Sequence, residues 1–310
     1  MGNRMKRYIS TSPNEQSGES VEMIQLAKAM KAEIVHNAPR NGFLLYLINL
    51  NMRPGAENFQ DLAERKYKQK GINAVLLGVG KGWEDADRLK PYFEVLKKIS
   101  HIVFVHHPDQ IDFLRHFGIE GVLKPISEER YTGPEKFNPN SVVYTGFLWG
   151  EKDIKKFIQV AQILPTWQFT IQDGKQTATK HNLNFNLPPN CTLNEDFIPQ
   201  EEYLDYLAGF EYVWIPRTPS PWVYAARSGI TAVASGRPAI LTDVPPNAVV
   251  PNDVAIKYPF DWSEEQIARL IESRPQVDKD AVDSFLDTVD PRNVWSFMKA
   301  ELEKRGLLDY

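Results

Sequence analysis

Short apolar runs alternate with amphipathic stretches along nearly the whole chain, and this rhythm limits the fold more than any other feature. Strands that are apolar throughout need cover on both faces, and crossover helices supply it. The rhythm therefore predicts an α/β protein with parallel sheets between helical layers. Strands are expected at Tyr8–Ser10, Glu33–His36, Phe43–Leu50, Ala74–Leu77, Ile102–Val105 and Gly121–Pro125. Between them, Val21, Ile24, Leu26, Ala27 and Met30 form a helical stripe, and Ala56–Lys68, Asp85–Ile99 and Asp109–Phe117 read as helices.

A second series follows Ser127–Asn140, whose Gly133, Pro134 and Pro139 read as a linker. Its strands are expected at Val142–Tyr144, Trp167–Ile171, Cys191–Leu193, Tyr212–Ile215 and Ala239–Leu241. Helices are expected at Lys152–Leu164, Gln200–Leu207 and Ala225–Ala234, with Asp173–Pro189 a polar loop. Ser263–Ser273, Lys279–Thr288 and Arg292–Lys304 read as three closing helices. A chain of 310 residues exceeds one ordinary hydrophobic core, so we expect two domains, 1–135 and 136–310.

Composition narrows the setting. The net charge of −4 gives no dominant cationic field, so charge alone predicts no tight binding to nucleic acid. One cysteine, Cys191, allows no internal disulfide and fits a reducing compartment. No apolar run reaches the length of a membrane span, and the basic start Met1–Arg7 leads into polar residues rather than an apolar signal core. The expected location is the cytoplasm.

In open α/β sheets ligands bind beyond the carboxyl ends of the strands, so the loops there are the places to search. In the second half they are Thr145-Gly-Phe-Leu-Trp-Gly150, Asp173-Gly174, Asn194-Glu-Asp-Phe-Ile-Pro199 and Pro216-Arg-Thr-Pro-Ser-Pro221. Around them stand Val143-Tyr-Thr-Gly146, Phe169-Thr-Ile-Gln-Asp-Gly174, Cys191-Thr-Leu-Asn-Glu-Asp-Phe-Ile-Pro-Gln-Glu-Glu-Tyr-Leu204, Tyr212-Val-Trp-Ile-Pro216 and Ala232-Val-Ala-Ser-Gly-Arg-Pro-Ala-Ile240, then Thr242-Asp243. In this order and spacing, over about residues 141–245, the segments resemble the donor domain of family-4-like (group 1) glycosyltransferases. The resemblance implies the GT-B arrangement, two Rossmann-like domains facing across a cleft.

The resemblance also implies chemistry. The donor would be a nucleotide sugar, expected to be a UDP-sugar, acting as co-substrate with no other cofactor and no obligatory metal. Transfer would retain the anomeric configuration. Donor-binding candidates are Gly146, Lys152, Phe197, Ile198, Arg217, Ser220, Tyr224, Arg227, Ser228 and Thr231. Arg217 and Arg227 bracket a helix start, where backbone N–H groups and the helix dipole favour the diphosphate. The chain departs from the family where a Glu holds the ribose: Thr231 precedes Ala232 there, and no Glu lies between Glu211 and Asp243. Ribose recognition differs, or donor binding has been lost.

The first half carries fewer signals. The loop Thr11–Glu19 follows the first strand, near the reaction centre in the family, so Gln16, Ser17, Gly18 and Glu19 are acceptor-side candidates. Gln16 and His106, which ends a strand, are the catalytic candidates; a structural role is the alternative for His106 beside Pro108. Gly78-Val-Gly-Lys-Gly82 lacks the Ser or Thr of a phosphate-binding P-loop. Gly146 and Gly174 suit ligand contact or tight turns, and Trp222 and Tyr224 suit stacking on a ligand or packing. The acceptor is expected to be soluble or polymeric. Tailed-phage enzymes of similar size and degenerate motifs make a hydroxymethylated DNA base one candidate. A non-catalytic nucleotide- or sugar-phosphate-binding protein, and a nucleotide-sugar hydrolase or epimerase, remain as alternatives. The oligomeric state is open.

Overall fold

A computed structural model describes residues 6–10, 18–35, 42–49, 71–78, 86–146, 148, 153–174, 176–180, 182–220 and 226–308. Two compact units emerge, one holding Met1–Glu128 with Thr288–Tyr310, the other Glu129–Ser220 with Ala226–Asp287.

The first unit is built on β1 (Arg7–Ser10), β2 (Glu33–Ile34), β3 (Phe43–Asn49), β4 (Ile72–Gly78), β5 (Ile102–Val105) and β6 (Gly121–Leu123), in spatial order β2-β1-β3-β4-β5-β6. Every pairing is parallel. Alternate residues of these apolar strands point to opposite faces, so each strand feeds two cores. Leu44, Val75, Val103 and Val105 pack under helices α2 (Ala86–Ile99) and α3 (Pro108–His116), through Leu89, Phe93, Phe113 and Phe117. Leu45, Ala74, Leu76 and Phe104 lie on the other face with Met23, Leu26 and Met30 of helix α1 (Gly18–Met30).

The second unit has β7 (Asn138–Thr145), β8 (Gln168–Gln172), β9 (Cys191–Asn194), β10 (Phe210–Ile215), β11 (Ala239–Asp243) and β12 (Ile256–Pro259), in order β12-β11-β10-β7-β8-β9. All pairings are again parallel. Helices α4 (Ile154–Ile163), α5 (Thr177–Lys180), α6 (Gln200–Ala208), α7 (Arg227–Ala234), α8 (Glu264–Glu272) and α9 (Lys279–Val289) follow in sequence. Tyr144, Phe169 and Trp214 meet Phe157 of α4 and Ile267 of α8 in one core, while α6 and α7 pack against β10. Helix α10 (Pro291–Lys304) packs against α1 in the first unit, with Val294, Trp295, Met298 and Leu302 buried there.

Three elements differ from the sequence expectation. Strand β12 was not expected: it spans four residues including Lys257 and Pro259, and it survives because it is an edge strand. Strand β7 begins inside the expected linker, where Asn140 takes φ +54 and the pairing with β10 shifts register, as Asn tolerates. Within the expected polar loop, Thr177–Lys180 turns into a short helix capped by Asp173. The expected helix Ala56–Lys68 and the Val79–Gly82 part of the glycine-rich loop lie outside the described residues.

Counting β7 as first, the second sheet runs third, second, first, fourth, fifth, sixth, the doubly wound order of dinucleotide-binding folds. Its strand order reverses between β7 and β10. In the first sheet the reversal falls between β1 and β3.

Candidate functional site

The crevice expected at a strand-order reversal lies between the carboxyl ends of β7 and β10. Strand β10 is buried from Glu211 through Ile215 and delivers Arg217 to this rim. Arg217 is itself buried. Its backbone N–H donates to Thr242 Oγ1 at 2.8 Å, and its Nη2 donates to Ser228 Oγ at 3.0 Å. The Thr242 hydroxyl donates in turn to the Tyr258 oxygen at 2.9 Å, which also accepts the Trp214 indole N–H at 3.0 Å. A polar chain through β10, β11 and β12 thus anchors the arginine. Burial pushes the Tyr258 phenol up and keeps it neutral.

Helix α7 begins at the same rim. Its cap residue, Ala226, is extended and has no side-chain oxygen for the first-turn N–H groups, while its own N–H donates to Pro246 O at 2.7 Å. Arg227 and Ser228 are the first two helical residues, so the helix starts two residues later than expected at Ala225. Arg217, Ser228 and the positive end of α7 are therefore together, an arrangement suited to an anion.

Across the reversal, Gly146 directly follows β7 with φ +121, a conformation that side chains rarely adopt. The Asp153 N–H donates to Pro216 O at 3.2 Å and ties the β7–α4 connection to the end of β10, while its carboxylate caps α4 at Lys156 N–H, 3.1 Å. At β8, Gln172 donates to Asp196 O at 2.9 Å and accepts from Asn194 at 2.8 Å. This fixes the turn leading to Phe197, which is 56% exposed, and half-buried Ile198. Both follow β9, three strand positions from β10, or roughly 14 Å at ordinary strand spacing. The fold puts them on the same rim but apart from Arg217 and Ser228. Ser220 and Arg227 are half-buried, and Thr231 is buried in the second turn of α7.

In the first unit, Gly18 and Glu19 correct the loop expectation: they form the first turn of α1, which begins before its apolar stripe. The adjacent histidines divide their roles. His107 caps α3, its Nδ1 accepting the Asp109 N–H at 3.2 Å. His106 Nε2 instead lies 3.1 Å from Glu22, which also accepts from Lys124 Nζ at 2.5 Å and from Ser127 N–H at 2.9 Å. Gln16, Ser17, Lys152, Trp222 and Tyr224 lie outside the described residues.

Thr242 stands in the sequence only within the resembling segments, with no site role, and Tyr258, Glu22 and Lys124 are not singled out there. The Thr at a strand end, and a Lys between a strand and Pro125, were the only local signals. Among the described residues no group of three or more His, Cys, Asp and Glu could hold a metal, and no helix is long and apolar enough to cross a membrane.

No protein-family model and no curated protein matches the chain in sequence. Solved structures match it in fold. Sucrose-phosphate synthase from Thermosynechococcus elongatus aligns with TM-score 0.68 at 14% identity, over 97% of this chain and 99% of that one. HepE from Anabaena, solved with UDP-glucose, aligns with TM-score 0.68 at 11% identity, over 97% and 100%. The pneumococcal O-GlcNAc transferase GtfA, solved with UDP and GlcNAc, gives TM-score 0.60 at 17% identity over 86% of this chain. The chain spans only 57% of the length of GtfA and 55% of TarM, which also matches. The likeness shows the fold: two parallel six-stranded sheets of the GT-B glycosyltransferase type.

Proposed function

We propose that this protein is a glycosyltransferase that takes its sugar from a nucleotide-sugar donor, with the diphosphate held at the carboxyl rim of the second sheet. One observation carries the reading: Arg217, at the strand-order reversal, is bonded to Ser228 in the first turn of a helix whose cap residue offers its N–H groups no side-chain acceptor. Arginine, hydroxyl and helix dipole meet the charge of a leaving nucleoside diphosphate, and their geometry is set before the reaction. These groups do so without a metal, so transfer is proposed to be metal-independent.

The donor is proposed to carry UDP, as HepE and GtfA are each solved with it. Retention is proposed by analogy with trehalose-6-phosphate synthase, described as transferring with retention and similar in fold at TM-score 0.61 and 9% identity. Without the family's Glu near Thr231, the ribose must be held by other groups. We assign His106 and Gln16 to the acceptor side, and the acceptor to soluble or polymeric hydroxyl compounds. No compared structure supports a DNA base as the acceptor.

The test is incubation with a panel of nucleotide sugars, with and without candidate acceptors, reading free nucleoside diphosphate. Release that requires an acceptor supports transfer. Release without one makes the protein a hydrolase, and binding without release makes it a binding protein. Absence of binding removes the donor site.

A further inference from the structure

We infer that Asn247 is a positioning residue for the diphosphate site: from the turn after β11 it holds the strand end that carries Arg217 in register with the start of α7. The inference rests on the proposed donor reading, and it concerns a fully buried residue that acts through its neighbours.

A short 3-10 turn, Pro245–Asn247, follows β11. The turn is closed by the Asn247 N–H donating to Val244 O at 2.9 Å and the Ala248 N–H donating to Pro245 O at 3.0 Å. From it, Asn247 Nδ2 donates to Thr242 O at 2.8 Å. The same threonine serves Arg217 with its side chain, since Thr242 Oγ1 accepts the Arg217 N–H at 2.8 Å. The residue before Asn247 serves the helix: Pro246 O accepts the N–H of Ala226, the cap of α7, at 2.7 Å. Two hydrogen-bonded arms therefore leave one turn. One runs through Thr242 to Arg217, and the other through Pro246 to the start of α7. They meet again at the rim, where Arg217 Nη2 donates to Ser228 Oγ at 3.0 Å. Asn247 is the side chain that ties the turn to the strand end and so closes this ring of contacts.

The fold alone gains little from this amide. Thr242 O also accepts the Val244 N–H at 3.0 Å, so it keeps a donor without Asn247. Because Nδ2 faces a carbonyl, Oδ1 is turned the other way, toward the first turn of α7. Gly229, the third residue of α7, stands there: a Cβ on it would lie 3.5 Å from Oδ1 and 3.4 Å from Leu241 and Val250. Oδ1 meets no hydrogen-bond donor among the described residues. A buried acceptor left unmet lowers stability, and an apolar side chain of similar size would remove it. What the amide supplies, and an apolar side chain lacks, is a directional tie between turn and strand end. An anion site made of an arginine fork, a hydroxyl and helix N–H groups depends on such ties, because its geometry must be set before the ligand arrives.

The experiment is titration calorimetry of the full chain with UDP, paired with urea unfolding, on Asn247→Leu, Arg217→Ala and the double variant. Asn247→Leu is expected to keep the wild-type unfolding midpoint while binding UDP about three- to tenfold more weakly. In the Arg217→Ala background the same substitution is expected to change UDP affinity by less than about twofold, because the group it positions is gone. Wild-type affinity in Asn247→Leu overturns the inference and leaves the donor site standing. An equal loss in both backgrounds also overturns it, since Asn247 would then act independently of Arg217. If the midpoint falls as well, the comparison of the two backgrounds still decides. If Asn247→Leu fails to fold, Asn247→Ala is taken through the same cycle with the same expected outcomes. A wild type that binds no UDP, or an Arg217→Ala variant that binds it like the wild type, removes the donor reading and this inference with it.

Discussion

The two sheets are alike in strand number and direction, yet their carboxyl rims use polar residues in opposite ways. The rim of the first unit gathers Glu22, Lys124 and His106 into a buried cluster where opposite charges meet inside the same unit. The rim of the second unit sets Arg217 against a hydroxyl and a helix start, and holds it from behind through neutral groups, Thr242, Tyr258 and Trp214. Mutual compensation makes the first cluster a rigid support for one imidazole. The second sets its arginine beside Ser228 and the start of α7, an arrangement suited to an anion. Changes in the first rim should therefore damage stability first, and changes in the second should damage binding first.

The largest expected effect is on the first rim. Lys124→Met leaves the Glu22 carboxylate buried without its counter-charge, which costs about 3–5 kcal/mol of folding stability. Urea unfolding of the full chain measures it. A loss below about 1 kcal/mol would mean the pair is not sequestered as described. Next comes Arg217→Ala, expected to weaken UDP binding by about 1.5–3 kcal/mol, on the order of ten- to a hundredfold, in titration calorimetry. Arg217→Lys keeps the charge but loses the planar fork and should fall between. If Arg217→Ala loses stability but keeps UDP affinity, the contrast between the rims fails.

Thr242→Val removes the acceptor for the Arg217 N–H, an unmet buried donor worth about 1–2 kcal/mol, and should lower UDP affinity as well as stability. Thr242→Ser should restore most of both. Loss of stability alone would show that Thr242 does not act through Arg217.

The most gradual effect is alkaline. Burial pushes the Cys191 thiol up to about 12 and the Tyr212 phenol up to about 12, both in the second unit. Each raised group favours the fold fully below its unfolded value, about 8.5 for the thiol and 10 for the phenol. That contribution is lost as pH climbs toward 12. Unfolding midpoints should hold steady to about pH 8.5 and then decline. Cys191→Ser should delay the onset to about pH 10, where the phenols begin to ionise.

Much of this fold was legible because buried parallel strands are apolar throughout. Ile102–Val105 and the β10 core announce themselves without help from their partners. Strand β12 did not, since Lys257 and Pro259 mask a run whose identity comes only from pairing with β11. The site divides the same way. Arg217 and Ser228 were reachable because strand ends and helix starts are local features. Thr242 and Tyr258 matter through contacts across three strands, which no local pattern records. Glu22 was hidden by its own helix: a charged residue in an amphipathic pattern reads as solvent-facing, and its partner Lys124 stands 102 positions away.

The central claim is that the nucleotide is held at the second rim. Hydrogen–deuterium exchange of the full chain, with and without UDP, tests it most directly. The account predicts slowed exchange at Thr145–Gly146, at Arg217 and in the first turn of α7 from Ala226 to Gly229, with no change at His106–Gln110 in the first unit. Protection at the first unit's strand ends, with the start of α7 unchanged, would contradict it.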